Sequence, residues 1–119
     1  MDTCYNPEKQ REITVSTRNY LLNDKYYLIN FDDWDEVIRD WLADREEIRL
    51  TAEHLRVVSF LRQTFGQTKK HPVLRIITAE LARKFGKEKG TVKYFHMLFP
   101  GGIHQAYLIA GIPMQDSCC

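Results

Sequence analysis

The sequence predicts an α+β fold: a small N-terminal antiparallel β-sheet packs on an array of about five helices, and a flexible C-terminal arm follows. Short runs rich in β-branched and aromatic residues occupy the first quarter of the chain, and apolar residues then recur at helical spacing. A length of 119 residues suits one domain. We expect a frayed segment at 1–10, the β element at 11–31, helices over 33–110 and the arm at 111–119.

The β element begins with a weakly alternating stretch, Arg11–Val15, which contains three β-branched residues. A turn-like segment, Ser16–Asn19, separates it from Tyr20–Leu22, and a second apolar run follows at Tyr26–Ile29. This pattern indicates a hairpin or a three-stranded meander. A hairpin alone is marginally stable in water, so we expect it to pack on the helices.

The first two helices each follow a residue that can cap a helix. Asp32 or Asp33 precedes the first, and Thr51 precedes the second, which we expect to end near Gly66. The apolar stripe of the first helix comprises Trp34, Val37, Ile38, Trp41 and Leu42. The buried face of the second comprises Leu55, Val58, Leu61 and Phe65.

Three further helices are marked by Pro and Gly. Pro72 is a good first helical residue for the third, and Gly86 can close it. The expected stripe of this helix is Val73, Ile76, Ile77, Leu81 and Phe85. The fourth helix runs through Val92, Phe95, Leu98 and Phe99. The fifth spans 103–110 and ends at Gly111.

The net charge of +1 hides an asymmetry between the two halves of the chain. Residues 1–49 carry a net charge of −5, and residues 50–119 carry +6. A basic half suits nucleic acid or an acidic partner, although a solvated face explains it equally well. The two helices joined through 67–71 loosely resemble a helix-turn-helix, so weak DNA binding is an open alternative. The cations that would contact phosphates are Arg75, Arg83, Lys84, Lys87, Lys89 and Lys93.

The C-terminal arm carries two thiols, Cys118 and Cys119. Only a thiolate reacts, and the chain's terminal carboxylate disfavours ionisation at Cys119 more than at Cys118. Cys118 is therefore the better nucleophile, with Cys119 as an auxiliary thiol that could also link two copies of a monomer. From Gly111, seven residues reach at most about 25 Å. Spacing alone does not separate a reactive arm from an unstructured tail with incidental cysteines.

Several function classes have no support in the sequence. Three cysteines, one of them the distant Cys4, do not form a secreted disulfide framework and fit a reducing cytoplasm. The first residues show no export signal, and no apolar run is long enough for a membrane span. The four histidines form no metal-ligand pattern with Cys118, and we find no phosphate loop or hydrolytic triad. We expect neither a metal nor a cofactor.

A series of motifs resembles the TusE/DsrC/DsvC family of sulfur-carrier proteins. The resemblance runs from about residue 12 to the C-terminus and is strongest from Leu50 onward. In the first half, Asn19-Tyr20-Leu21 and Trp34 align with the family's Gly-Tyr-Leu and following Trp. The later motifs are Leu50-Thr51-Ala52-Glu53-His54, Pro72 with Arg75, Lys84-Phe85-Gly86, Glu88-Lys89-Gly90, Leu98-Phe99-Pro100, Gly102, Gln105-Ala106, Ile109-Ala110-Gly111, Pro113 and Cys118.

The resemblance implies a small antiparallel sheet on five helices, a mobile C-terminal arm and a persulfide carried on Cys118. It implies a sulfurtransferase-type carrier rather than a stand-alone enzyme. The donor would be TusBCD-like or DsrEFH-like, and the acceptor a tRNA thiolase making 2-thiouridine or a dissimilatory sulfite reductase-like protein. The supporting residues within the matching motifs are Arg75, Lys84, Lys89, Gly111 and Pro113.

Departures from the family pattern point to a divergent paralogue. Dissimilatory members carry a second Cys eleven residues before the first, and that position here is Tyr107. The resemblance therefore favours TusE-like relay on a single thiol. Leu55 replaces the family's Trp, and Cys119 replaces the usual apolar last residue. A regulatory protein that senses redox or sulfur state is the remaining alternative.

Overall fold

The structure, a computed structural model, describes residues 10–114 of the chain. Strands β1 (Gln10–Val15) and β2 (Arg18–Asn23) form an antiparallel hairpin in which Gln10 pairs with Asn23 and Val15 with Arg18. Both turn residues, Ser16 and Thr17, have positive φ, as two-residue hairpin turns commonly require. The predicted turn was therefore too wide, since Arg18 and Asn19 belong to β2. The frayed segment lies outside the described residues, except that Gln10 is already in β1.

The third strand of the predicted meander is absent from the described part of the chain. The second apolar run forms only an isolated bridge between Leu22 and Leu28. The Asn23 side-chain oxygen accepts hydrogen bonds from the N–H groups of Lys25 and Tyr27, at 2.8 and 3.0 Å, and curls the chain away from the strand. The β element is therefore the simpler of the two predicted forms, a hairpin.

Helix α1 (Glu36–Arg45) starts later than predicted. Asp35 caps it, rather than Asp32 or Asp33, because its carboxylate accepts the Ile38 N–H at 3.0 Å. The same carboxylate accepts the Tyr20 hydroxyl of β2 at 2.7 Å. Burial pushes the pKa of Asp35 upward, but these hydrogen bonds outweigh it and hold the pKa below its usual value.

The other helices are α2 (Ala52–Thr68), α3 (Leu74–Phe85), α4 (Val92–Leu98) and α5 (Ile103–Ala110). Helix α2 continues through Gly66, and α5 has the predicted bounds. At the start of α2, the Thr51 N–H donates to Nδ1 of His54 at 3.1 Å. Because Nδ1 of His54 accepts this bond, the ring proton of His54 is on Nε2, which donates to the Leu98 carbonyl of α4 at 2.7 Å.

Helix α3 buries a stripe that differs from the predicted one. Val73 is the N-cap and Pro72 precedes it, so neither is in the helix. Val73 and Ile76 are 50% and 43% exposed. The side chains that face the core are Leu74, Ile77, Thr78, Leu81 and Phe85. Val92 of α4, also predicted to be buried, is 51% exposed.

The buried residues of the described chain form one hydrophobic cluster with α5 at its centre. Every residue from Ala106 to Ala110 is buried, and α5 packs against both α1 and α2. On the outside, Glu80 of α3 accepts hydrogen bonds from Arg83 and from Arg56 of α2, each at 2.8 Å. These bonds lower the pKa of Glu80 to about 2.

Candidate functional site

Helix α5 ends at Gly111, where the chain turns toward the C-terminal cysteines. Gly111 adopts φ +71° and ψ +20°, the left-handed region, and its N–H returns to the Leu108 carbonyl at 3.1 Å. A Cβ atom here would lie 2.2 Å from Cδ1 of Trp34. Only glycine satisfies both the backbone conformation and the close approach of the indole ring.

Two side chains from distant segments hold the last carbonyls of α5. Trp34 donates its indole N–H to the Ile109 carbonyl at 3.0 Å. Arg62 of α2 donates to the Ala110 carbonyl at 2.9 Å and to the Phe31 carbonyl at 3.0 Å. A cation at the C-terminal end of a helix is favoured by the helix dipole and fills orphaned acceptors.

Arg62 is itself held between two aromatic rings. Its guanidinium carbon lies 4.0 Å from the centroid of Phe31 and 4.3 Å from that of Trp34. Burial lowers the pKa of Arg62. This cation was missed in the sequence, where Arg62 looks like an ordinary polar position of α2.

Beyond Gly111, the described chain remains attached to the core. Ile112 is fully buried. The Pro113 carbonyl is hydrogen-bonded to Nε2 of His71, and the Met114 sulfur lies 3.9 Å from the side-chain nitrogen of Asn23. We call Gly111–Met114 the tail root. The prediction that a mobile arm begins at Gly111 does not describe these four residues, which are packed.

His71 and Tyr107 form the wall behind the tail root. The His71 ring meets Phe65 and Tyr107 edge to face, with centroids 5.3 and 5.0 Å apart. The buried Tyr107 hydroxyl donates to the Pro72 carbonyl at 2.8 Å, and burial raises the pKa of this phenol. The position that resembles the second cysteine of dissimilatory proteins is thus filled by a packed, hydrogen-bonded side chain.

The predicted supporting residues fall in two places. Gly111 and Pro113 belong to the tail root. Arg75 is exposed on the first turn of α3, just after His71 and Pro72. Lys84 lies in the last turn of α3, about 14 Å along the helix axis from Arg75, and Lys89 lies beyond that end in the short 3-10 helix Lys87–Lys89.

Lys89 is already engaged there, because its ammonium group lies 2.8 Å from the carboxylate of Glu53. This hydrogen bond raises the pKa of Lys89. Cys118 and Cys119 lie outside the described residues.

A cleft of about 350 Å³ opens between α2 and the segment that carries Trp34. Trp34 and Arg62, which hold the end of α5, also form part of its wall. Leu55, 38% exposed, stands where the sequence resemblance expects a Trp. The remaining lining residues are Arg39, Val58 and Ser59.

No helix within residues 10–114 is both long and apolar enough to cross a membrane.

Known structures share the architecture described above. The chain superposes on the solution structure of Allochromatium vinosum DsrC with a TM-score of 0.81 and 33% identity, covering 92% of this chain and 99% of that one. It superposes on the crystal structure of the oxidized gamma-subunit of the dissimilatory sulfite reductase (DsrC) from Archaeoglobus fulgidus with a TM-score of 0.83 and 26% identity, covering 92% and 100%. The hairpin and the five helices are thus those of the sulfur-relay carrier class.

Within this class, the chain is similar in sequence to proteins named TusE. The chain is 41% identical over 93 residues to "Sulfurtransferase TusE" of Photorhabdus laumondii, covering 77% of this chain and 84% of the relative. It is 40% identical over 93 residues to the TusE of Yersinia pseudotuberculosis, with 77% and 86% covered. A family model described as "DsrC like protein" matches residues 14–119. The chain belongs to the DsrC-like protein family. Nothing in these comparisons supports the DNA-binding alternative.

Proposed function

We propose that the protein accepts a sulfane sulfur as a persulfide on Cys118 and passes it to a downstream acceptor. The observation that carries this proposal is its membership of the DsrC-like family, together with its similarity to sulfurtransferases named TusE. The tail root supports it, because residues 111–114 are fixed on the core and Cys118 follows only four residues after Met114. A short tether on a rigid base suits delivery of a thiol to a partner's active site.

The transfer step is a thiol exchange with no net oxidation. The Cys118 thiolate attacks the outer sulfur of a persulfide on the donor, and a new S–S bond forms at Cys118. The donor's S–S bond breaks, and its electron pair leaves with the donor cysteine as a thiolate. The persulfide on Cys118 then presents its outer sulfur to the acceptor in the same way.

Tyr107 supports a relay on one thiol. A phenol cannot form a disulfide, and the Tyr107 hydroxyl is already bonded to the Pro72 carbonyl at 2.8 Å. The sulfur therefore stays on the C-terminal cysteines, with Cys118 as acceptor and Cys119 as an auxiliary thiol. We place this chemistry in the cytoplasm, where a reducing environment keeps such thiols free.

The proposed partners follow the TusE-like branch. A TusBCD-like or DsrEFH-like complex would donate sulfur, and a tRNA thiolase that makes 2-thiouridine would accept it. Among the predicted supporting cations, Arg75 is the best placed, because it is exposed on the turn of α3 that follows His71 and Pro72. Lys84 and Lys89 are less well placed, at the other end of that helix.

The test is mass spectrometry after incubation with a persulfide-loaded donor complex. We expect the wild type and Cys119→Ser to gain one sulfur atom, and Cys118→Ser to gain none. Cys4→Ser is the matched control, since it removes a thiol at the other end of the chain. No gain by the wild type, or an equal gain by Cys118→Ser, would reject Cys118 as the acceptor. Tandem spectra that place the sulfur on Cys119 would do the same.

A further inference from the structure

We propose that His71 is a positioning residue that anchors the tail root and thereby sets the reach and direction of Cys118. The proposal deepens the proposed function and rests on it for its consequence in sulfur transfer. It begins from the contact between the imidazole and the Pro113 carbonyl. Pro113 has no N–H of its own, so within the described chain this carbonyl is the polar group through which it is held.

The imidazole is well suited to be an anchor because its own position is fixed. Its ring is packed between Phe65 of α2 and Tyr107 of α5. The next residue, Pro72, is buried and receives the Tyr107 hydroxyl on its carbonyl at 2.8 Å. The loop that carries His71 is therefore tied to the central helix of the fold before it contacts the tail root.

The imidazole donates this hydrogen bond from Nε2. A carbonyl oxygen only accepts, so Nε2 carries the proton that it donates. The anchor therefore depends on the position of the ring, which its aromatic neighbours fix.

The other contacts of the tail root are unequal in strength. Ile112 is fully buried and holds its part of the chain by packing. The contact between the Met114 sulfur and Asn23 is long, at 3.9 Å, and thioether sulfur is a weak acceptor. Without the His71 bond, we expect Pro113 and Met114 to leave the core while Ile112 stays.

This release would lengthen the tether. Cys118 lies four residues after Met114, a span of at most about 14 Å, and six residues after Ile112, a span of about 21 Å. The effective concentration of a tethered group falls roughly as the −3/2 power of tether length, which gives about a twofold loss here. Loss of the fixed orientation of Pro113 and Met114 would lower the effective concentration of Cys118 further.

The experiment measures the position of Cys118 without requiring sulfur transfer. An energy acceptor is attached to Cys118 in a background carrying Cys4→Ser, Cys119→Ser and Trp41→Phe, and time-resolved transfer from Trp34 gives the distance distribution. His71→Phe keeps an aromatic ring between its neighbours but has no donor. We expect it to broaden the distribution, and His71→Gln, whose amide can donate, to restore it.

His104→Ala is the matched control. His104 also meets the Tyr107 ring edge to face, at 5.6 Å, but does not contact the tail root. It should leave the distribution unchanged. An unchanged distribution in His71→Phe would overturn the proposal, as would equal broadening in His104→Ala. If His71→Phe does not fold, His71→Ala replaces it. A broader distribution in folded His71→Ala, with a wild-type distribution in His71→Gln, supports the anchor. An unchanged distribution in His71→Ala refutes it.

A second readout separates positioning from simple loss of stability. With a persulfide-loaded donor complex, His71→Phe should lower kcat/KM about twofold or more, while alkylation of Cys118 by iodoacetamide keeps its wild-type rate. Equal slowing of both reactions would refute a positioning role. If no variant transfers sulfur but the distribution still broadens, the proposed function fails and the structural role of His71 stands.

Discussion

One methyl group added at Gly111 should destabilise the protein by about 2–4 kcal/mol. The left-handed backbone at φ +71° costs an L-residue about 1–2 kcal/mol. The new Cβ would also lie 2.2 Å from Cδ1 and 3.0 Å from Cγ of Trp34, so the indole must move. Moving it loosens the bond from Trp34 to the Ile109 carbonyl, worth about 1 kcal/mol. It also disturbs the stacking of Arg62.

Urea unfolding followed by far-UV circular dichroism measures this loss. Gly66→Ala is the matched control, because Gly66 lies within helix α2 and its Cβ would meet nothing closer than 3.9 Å. That substitution should stabilise the protein by about 0.5–1 kcal/mol. Repeating Gly111→Ala in a Trp34→Ala background should reduce its cost to the backbone part, about 1–2 kcal/mol. If Gly111→Ala leaves the unfolding free energy unchanged or raises it, as expected for Gly66→Ala, the reasoning is refuted. If its cost is the same with and without Trp34, the clash with the indole ring makes no contribution.

Two further predictions concern carboxylates. The pKa of Glu80 is about 2 in the folded protein against its ordinary 4.5, so its stabilising effect is complete above about pH 5 and is lost as the pH falls toward 2. The difference in unfolding free energy between the wild type and Glu80→Gln should shrink over that range, and a difference that stays constant would contradict the ion pairing. Asp35→Ala should cost about 1–3 kcal/mol, because it removes the cap from α1 and the acceptor of the Tyr20 hydroxyl. Asp33→Ala should cost less than about 0.5 kcal/mol in the same urea titration, and equal costs would show that Asp35 is not the cap.

The fold class could be predicted from the sequence because hydrophobic periodicity and helix-ending residues determine each helix from its own local sequence. The bounds of α5 were predicted correctly, since Gly102 and Gly111 flank one uninterrupted apolar run. The sulfur-carrier function was also predicted correctly, on motifs that extend over most of the chain.

Helix α3 shows where periodicity does not identify the buried face. A stripe through Val73 and a stripe through Leu74 both fit a helical period, and only the position of the first turn decides between them.

The tail root could not have been predicted from local pattern. Gly111 followed by Pro113 is typical of a chain leaving a helix, and the sequence therefore predicted that the flexible arm begins there. The side chains that fix the end of α5 and the tail root are Trp34, Arg62 and His71, which lie 40 residues or more away in the sequence. Such contacts are tertiary, and no spacing in the sequence records them. The role of Cys118 stays a prediction.

The imidazole of His54 ties two helices into one cooperative unit. Helix α4 has only seven residues, too few to persist in water by itself. Its last carbonyl, on Leu98, accepts a hydrogen bond from Nε2 of His54, and Nδ1 of the same ring accepts the Thr51 N–H at the start of α2. One side chain therefore caps the end of a short helix and the beginning of a long one. The free energy of local opening of α4 is therefore coupled to that of α2, because opening either helix leaves hydrogen-bonding groups of both unpaired.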